Sequence, residues 1–141
     1  MREMRSKKMK TDLLIAEANT NLRELYERFF GEMGIRVETA FDGLECWAKL
    51  LEFAPDVLVL DMDLLWGGGD GVLARLRSDR DEKLSPTVFI TGFDSPISMS
   101  RRFGIAIENC LQKPFEPGEL LESVCAFVDA DAAITFLGYP V

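Results

Sequence analysis

Short apolar runs and longer stretches of helical spacing alternate along this chain. The first run, Leu13-Leu14-Ile15-Ala16, follows Thr11-Asp12 and stops at Glu17. Asn19 or Thr20 can then cap a helix in which Leu22, Leu25, Tyr26, Phe29, Phe30 and Met33 recur at i, i+3, i+4 and i+7, with Arg23, Glu24, Glu27 and Arg28 outside. Gly34 ends it. Ile35 to Ala40 alternates apolar and polar, the pattern of a half-exposed edge strand. Asp42-Gly43 turns the chain into a second amphipathic helix, Leu44 to Phe53, with Cys46, Trp47, Leu50 and Leu51 on its inner face.

Val57-Leu58-Val59-Leu60 is apolar without a break, introduced by Pro55-Asp56 and closed by Asp61. Its length and β-branching predict a strand buried on both faces. A loop from Met62 to Asp70 holds Gly67-Gly68-Gly69. The loop lacks the Gly-Lys-Ser/Thr ending of a nucleotide-binding loop, so it is expected to be a mobile connection. A helix follows from about Gly71 to Ser78, with Val72, Leu73 and Leu76 inward, and Ser78 to Leu84 is charged and surface-like. Pro86 to Ile90 is another buried strand, ending on Thr91-Gly92. A short helix over Ser95 to Phe103 and a weaker strand over Ala106 to Leu111 lead to Lys113-Pro114. Glu116-Pro117-Gly118-Glu119 opens a last helix, Leu120 to Val128, because Pro fits the first turn and acids favour its dipole. This alternation predicts an α/β domain, doubly wound, with a parallel sheet and helices on both faces.

Composition narrows the chemistry. The 141 residues fit one core. The net charge of -8 disfavours a nucleic-acid or anionic-membrane surface, and no apolar run approaches the roughly 20 residues that span a bilayer. The absence of histidine excludes Ser-His-Asp and Cys-His nucleophile systems and His-ligated metals. Cys46, Cys110 and Cys125, odd in number and in apolar surroundings, are expected to be buried thiols of a reducing, cytoplasmic compartment. Residues 1–10 are basic without an apolar core and are expected to be a flexible arm rather than a signal peptide. The domain proper is expected over 11–129. Residues 130–141, with Ile134, Phe136, Leu137 and Tyr139, form an apolar tail expected to dock on the domain or to support a homodimer.

The residues that end the apolar strands are Glu17, Asp61, Thr91-Gly92 and Lys113-Pro114. In open α/β sheets ligands bind outside the carboxyl ends of the strands, so adjacent strands would bring all four groups to one crevice. Two neighbouring carboxylates need a cation between them, which Lys113 or a hard dication such as Mg²⁺ can supply. The same cation would neutralise an incoming phosphoryl group, with Thr91 and Lys113 on its oxygens and Asp61 attacking as nucleophile.

With Lys113-Pro114-Phe115 and Asp70-Gly71, these strand ends resemble a response-regulator receiver domain over roughly Thr11 to Val128. The resemblance implies a flavodoxin-like, five-stranded sheet of order 2-1-3-4-5. It makes Asp61 the phospho-acceptor, Thr91 the switch hydroxyl, Lys113 the paired lysine with an often cis bond to proline, and Gly92 the small residue beside the phosphoryl group. It further implies Mg²⁺ held by Glu17, Asp61 and Asp63, and a sensor histidine kinase or phosphotransfer protein as donor. The expected function is that of a single-domain response regulator acting on an output protein through a partner-binding surface, not an enzyme beyond its own phosphorylation and dephosphorylation.

The chain departs from the family pattern at several positions. Ala18 replaces the second acid after the first strand, so metal affinity is expected to be weak; the longer Glu17 can reach inward, and Asp63 can add its side chain. Cys110 replaces the switching aromatic, the loop near Leu65 and Trp66 lacks the usual proline, and Phe93 is expected to restrict water. These departures leave open a degenerate receiver that acts only as an interaction module. A flavodoxin-like cofactor binder would need a hydroxyl-rich loop, of which Glu17-Ala18-Asn19-Thr20-Asn21 is a poor version.

Overall fold

The computed structural model describes residues 11–65, 67–78 and 86–128. The basic arm, the apolar tail, the segment 79–85 and Trp66 lie outside the described residues. Among the described residues five strands alternate with five α-helices: β1 Asp12–Ala16, α1 Thr20–Gly31, β2 Arg36–Ala40, α2 Gly43–Phe53, β3 Val57–Asp61, α3 Gly68–Ser78, β4 Thr87–Thr91, α4 Pro96–Phe103, β5 Cys110–Gln112 and α5 Pro117–Cys125. The strands form one sheet of order β2-β1-β3-β4-β5, and every pairing is parallel, as the resemblance implied. No helix of the described residues is long and apolar enough to cross a membrane.

Alternate residues of the central strands supply two cores, one on each face of the sheet. Leu13, Ile15, Val57, Val59, Val88 and Ile90 pack with Tyr26 and Phe30 of α1 and with Leu120, Leu121 and Val124 of α5. Leu14, Ala16, Leu58, Leu60 and Phe89 pack with Cys46 of α2, Val72, Leu73 and Leu76 of α3, and Met99 of α4. Helices on both faces are why β1 and β3 read as unbroken apolar runs rather than alternating ones.

The caps are written locally. The Asn19 side chain accepts from the Leu22 amide at 3.0 Å to start α1. At α2, Asp42 accepts from the Glu45 amide while Glu45 accepts from the Phe41 amide, both at 2.8 Å. Glu119 reaches back to the Glu116 amide at 3.0 Å, with Pro117 in the first turn of α5.

Four expectations are corrected. Leu51 is 65% exposed rather than on the inner face of α2, because Cys46, Trp47, Leu50 and Phe53 already supply the stripe that meets the sheet. The last strand starts at Cys110, since Ile107–Asn109 is a single 3₁₀ turn, and α5 stops at Cys125. The glycine run is not a loop up to Asp70: α3 begins at Gly68. A Cβ at Gly69 would overlap Met62 Cα and lie 2.6 Å from the Asp61 carbonyl oxygen, so the first turn of α3 is seated against the backbone that leaves β3.

Gly69 and Gly71 therefore separate two effects of replacing glycine by alanine. Gly69→Ala should lower the unfolding free energy by about 2 kcal/mol through overpacking. Gly71→Ala, whose Cβ meets nothing within 4 Å, should raise it by about 0.5–1 kcal/mol. Urea denaturation of both variants checks this, and a neutral Gly69→Ala would contradict the close approach.

Candidate functional site

The strand order reverses between β1 and β3, and the crevice at such a point is where open sheets bind ligands. Glu17 follows β1, Asp61 ends β3, Thr91 ends β4 and Lys113 follows β5, so the sheet gathers all four. Backbone bonds fix the strand exits: the Met62 amide donates to the Ile90 carbonyl and the Lys113 amide to the Thr91 carbonyl, both at 2.8 Å. The Lys113–Pro114 peptide is cis.

Glu17 and Asp61 are both 0% exposed, and the Lys113 ammonium lies between them. Lys113 Nζ donates to Glu17 Oε2 at 2.9 Å and to Asp61 Oδ2 at 3.3 Å. Backbone amides complete the cradle: Ala18 donates to Asp61 Oδ2 at 3.1 Å, Asp63 to Asp61 Oδ1 at 2.9 Å, and Asn19 to Glu17 Oε2 at 2.9 Å. Glu17 Oε1 is buried and accepts no hydrogen bond, although Lys113 Nζ is 2.9 Å away.

Burial, followed by the hydrogen bond and charge of Asp61, pushes the Glu17 carboxyl up to about 7, against the opposing Asn19 amide and Lys113 ammonium. Burial acts to lower the pKa of Lys113, but its two carboxylate partners outweigh that and it is raised. One ammonium faces two carboxylates, and the second leaves Glu17 costly to ionise even though Lys113 is held charged.

Thr91 and Gly92 face Asp63. The Thr91 hydroxyl lies 2.9 and 3.1 Å from the two Asp63 carboxylate oxygens, and the Gly92 amide donates to Oδ2 at 2.7 Å. The structure thus brings Glu17, Asp61 and Lys113 into one cluster and places the Asp63 carboxylate in a second contact beside it. Among the described residues no three such ligands converge as a ready-made metal cluster. The set still fits a hard dication in kind, because its donors are carboxylate oxygens and Glu17 Oε1 lacks a hydrogen bond. Sequence reasoning missed the Asp63 contact, since it spans 28 residues and depends on two loop paths. Phe93, expected to restrict water, is 86% exposed at the edge of a cleft of about 240 Å³ that Asp63, Asp70, Thr91 and Arg102 also line. Cys110 is buried, its thiol donating to the Ala106 carbonyl, and all three cysteines are free thiols.

Residues 13–125 match the family model of the response regulator receiver domain. The chain belongs to that family. Among relatives, the transcriptional regulatory protein TrcR of Mycobacterium tuberculosis is 32% identical over 109 residues, which are 77% of this chain and 42% of TrcR. ResD of Bacillus subtilis, also a transcriptional regulatory protein, is 26% identical over 118 residues, 84% of this chain and 48% of ResD. The chain thus spans less than half the length of either. Among solved structures, the chemotaxis response regulator CheY4 of Vibrio cholerae superposes with a TM-score of 0.72 at 25% identity, covering 85% of this chain and all of that one. The receiver fold, its strand order and its role as a signalling domain of response regulators follow.

The raised carboxyl of Glu17 gives this receiver a pH signature. Folded Glu17 still holds a proton where the unfolded side chain, with its ordinary value of 4.5, has lost it. Its contribution is therefore full below about pH 4.5 and is lost as pH rises through about 7. In metal-free buffer, Glu17→Gln should show a less downward slope of thermal midpoint against pH across that window than the wild type. Parallel slopes would contradict the assignment.

Proposed function

We propose that Asp61 accepts a phosphoryl group from a sensor histidine kinase or phosphotransfer protein, and that the resulting change at Thr91 and Lys113 is passed to an output partner. The observation that supports this most is the carboxylate of Asp61 at the sheet's switch point with the Lys113 ammonium 3.3 Å away and Thr91 ending the adjacent strand. An Asp61 oxygen attacks phosphorus in line, and the bond from phosphorus to the donor imidazole nitrogen breaks with its electron pair left on nitrogen. Lys113, Thr91 and the Gly92 amide then hold the phosphoryl oxygens. Bound Mg²⁺ would supply positive charge to offset that of the transferred group. Glu17 and Asp61 would hold the ion, and Asp63 would join them once its carboxylate leaves Thr91 and Gly92. Ala18 contributes no ligand, so the affinity is weak.

Phe93 and Ile97 are exposed apolar residues close in sequence to Thr91, and they offer the output partner a surface that changes with it. The setting is cytoplasmic, where free buried thiols such as these persist.

With acetyl phosphate and Mg²⁺, intact-mass measurement should show one phosphoryl group on the wild type and none on Asp61→Asn. No gain in the wild type, or an equal gain in the variant, would overturn the reading. Restoring the missing ligand by Ala18→Asp should tighten Mg²⁺ on the order of tenfold. An unchanged Mg²⁺ titration would show that Ala18 leaves no gap in the metal's ligand set.

A further inference from the structure

The groups expected to receive the phosphoryl oxygens on the β4 side already hold an anion, and that anion belongs to the chain. Asp63 accepts from the Thr91 hydroxyl at 2.9 Å and from the Gly92 amide at 2.7 Å, the short distance of a bond to an ionised acceptor. The Thr91 hydroxyl is in turn fixed by the Phe93 amide, which donates to it at 3.1 Å. The contact joins the exits of β3 and β4 and is not a local turn.

We propose that Asp63 is an internal occupant of the phosphoryl subsite, a carboxylate that must leave Thr91 and Gly92 before a phosphoryl group on Asp61 can use them. This rests on the phospho-acceptor reading of Asp61. Three observations carry it. Asp63 and a phosphoryl group present the same chemistry to these donors, an anionic oxygen accepting from a hydroxyl and an amide. The two acids are tied together, because the Asp63 amide donates to Asp61 Oδ1 at 2.9 Å. A phosphoryl group built on Asp61 therefore brings new negative charge beside the Asp63 carboxylate, and like charges at that range repel. The displaced side chain also has room to move, since Asp63 lines a cleft of about 240 Å³ that Asp70, Asp94, Met99 and Arg102 line as well, with Arg102 held by Asp94 at 3.2 Å.

The Thr91 hydroxyl is thus engaged by a carboxylate before any phosphoryl group arrives, with Asp63 as the stand-in. Asp63 sets how readily Asp61 is modified. While it sits on Thr91 and Gly92 it is a competitor for the hydroxyl and the amide, opposite in sign to the metal-ligand role open to it only after it leaves them.

Labelling rates with acetyl phosphate at fixed Mg²⁺, followed by intact mass, test this in the wild type, Asp63→Ala, Asp63→Asn, Thr91→Ala and the Asp63→Ala/Thr91→Ala pair. Asp63→Ala should label about tenfold faster than the wild type, the scale of one hydrogen bond to a charged group. Asp63→Asn, which keeps the shape and loses the charge, should fall between them. The gain should shrink when Asp63→Ala is made on the Thr91→Ala background, because the contested hydroxyl is gone. Equal or slower labelling of Asp63→Ala, as a metal ligand would give, overturns the proposal while leaving Asp61 as acceptor. An undiminished gain on the Thr91→Ala background also overturns it, since the effect would then be general charge relief. No labelling of any of these proteins overturns the acceptor reading and this proposal together.

Discussion

A single ammonium between two fully buried carboxylates governs the rest of this molecule. Glu17 and Asp61 are withdrawn from water by the strands and helices around them, and isolated carboxylates in such a place would be strongly penalised. Lys113 Nζ, at 2.9 Å from Glu17 and 3.3 Å from Asp61, makes their burial tolerable; the Asn19 and Ala18 amides reinforce the same two oxygens, and the Asp63 amide satisfies the second oxygen of Asp61. The compensation is incomplete, because one positive charge faces two negative ones. Glu17 carries the remainder as a raised pKa and an oxygen without a hydrogen bond. A site short of one positive charge is suited to receive a cation and the anionic group that the cation accompanies.

The fold is what makes this arrangement affordable in geometry. Parallel pairing sends β1, β3, β4 and β5 to the same edge, so residues distant in sequence arrive as neighbours: Glu17 and Lys113 are 96 apart. The two cores fix the strands from both faces, and the close seat of Gly69 on the exit of β3 leaves little freedom just beyond Asp61. The β4 exit differs in character. There the Thr91 hydroxyl and the Gly92 amide hold a half-buried side chain, Asp63, that belongs to neither core.

Much of this was legible in the sequence because it depends on apolar runs and on what ends them. Leu13 to Ala16 announced a short apolar strand and Val57 to Leu60 one buried on both faces, and their terminal acids marked the crevice. The less legible parts depend on side-chain reach or on close backbone approach. Leu51 follows the apolar pattern of α2 but lies past the edge of the stripe that the sheet can cover. Gly69 looked like part of a flexible run, whereas its missing Cβ is required by the Asp61 carbonyl and Met62. Asp63 was expected to face the metal with Glu17 and Asp61, and only the paths of two loops show its carboxylate on Thr91 and Gly92.

The most direct test of the shared ammonium is a double-mutant cycle on unfolding free energy, measured above pH 7 in metal-free buffer with Lys113→Met, Glu17→Gln and the pair. Lys113→Met alone leaves two buried carboxylates uncompensated and should lose about 3 kcal/mol or more. The same change on the Glu17→Gln background should lose less, with a coupling energy of at least about 1 kcal/mol. Strictly additive losses would contradict the account, because Lys113 and Glu17 would then contribute independently to the fold.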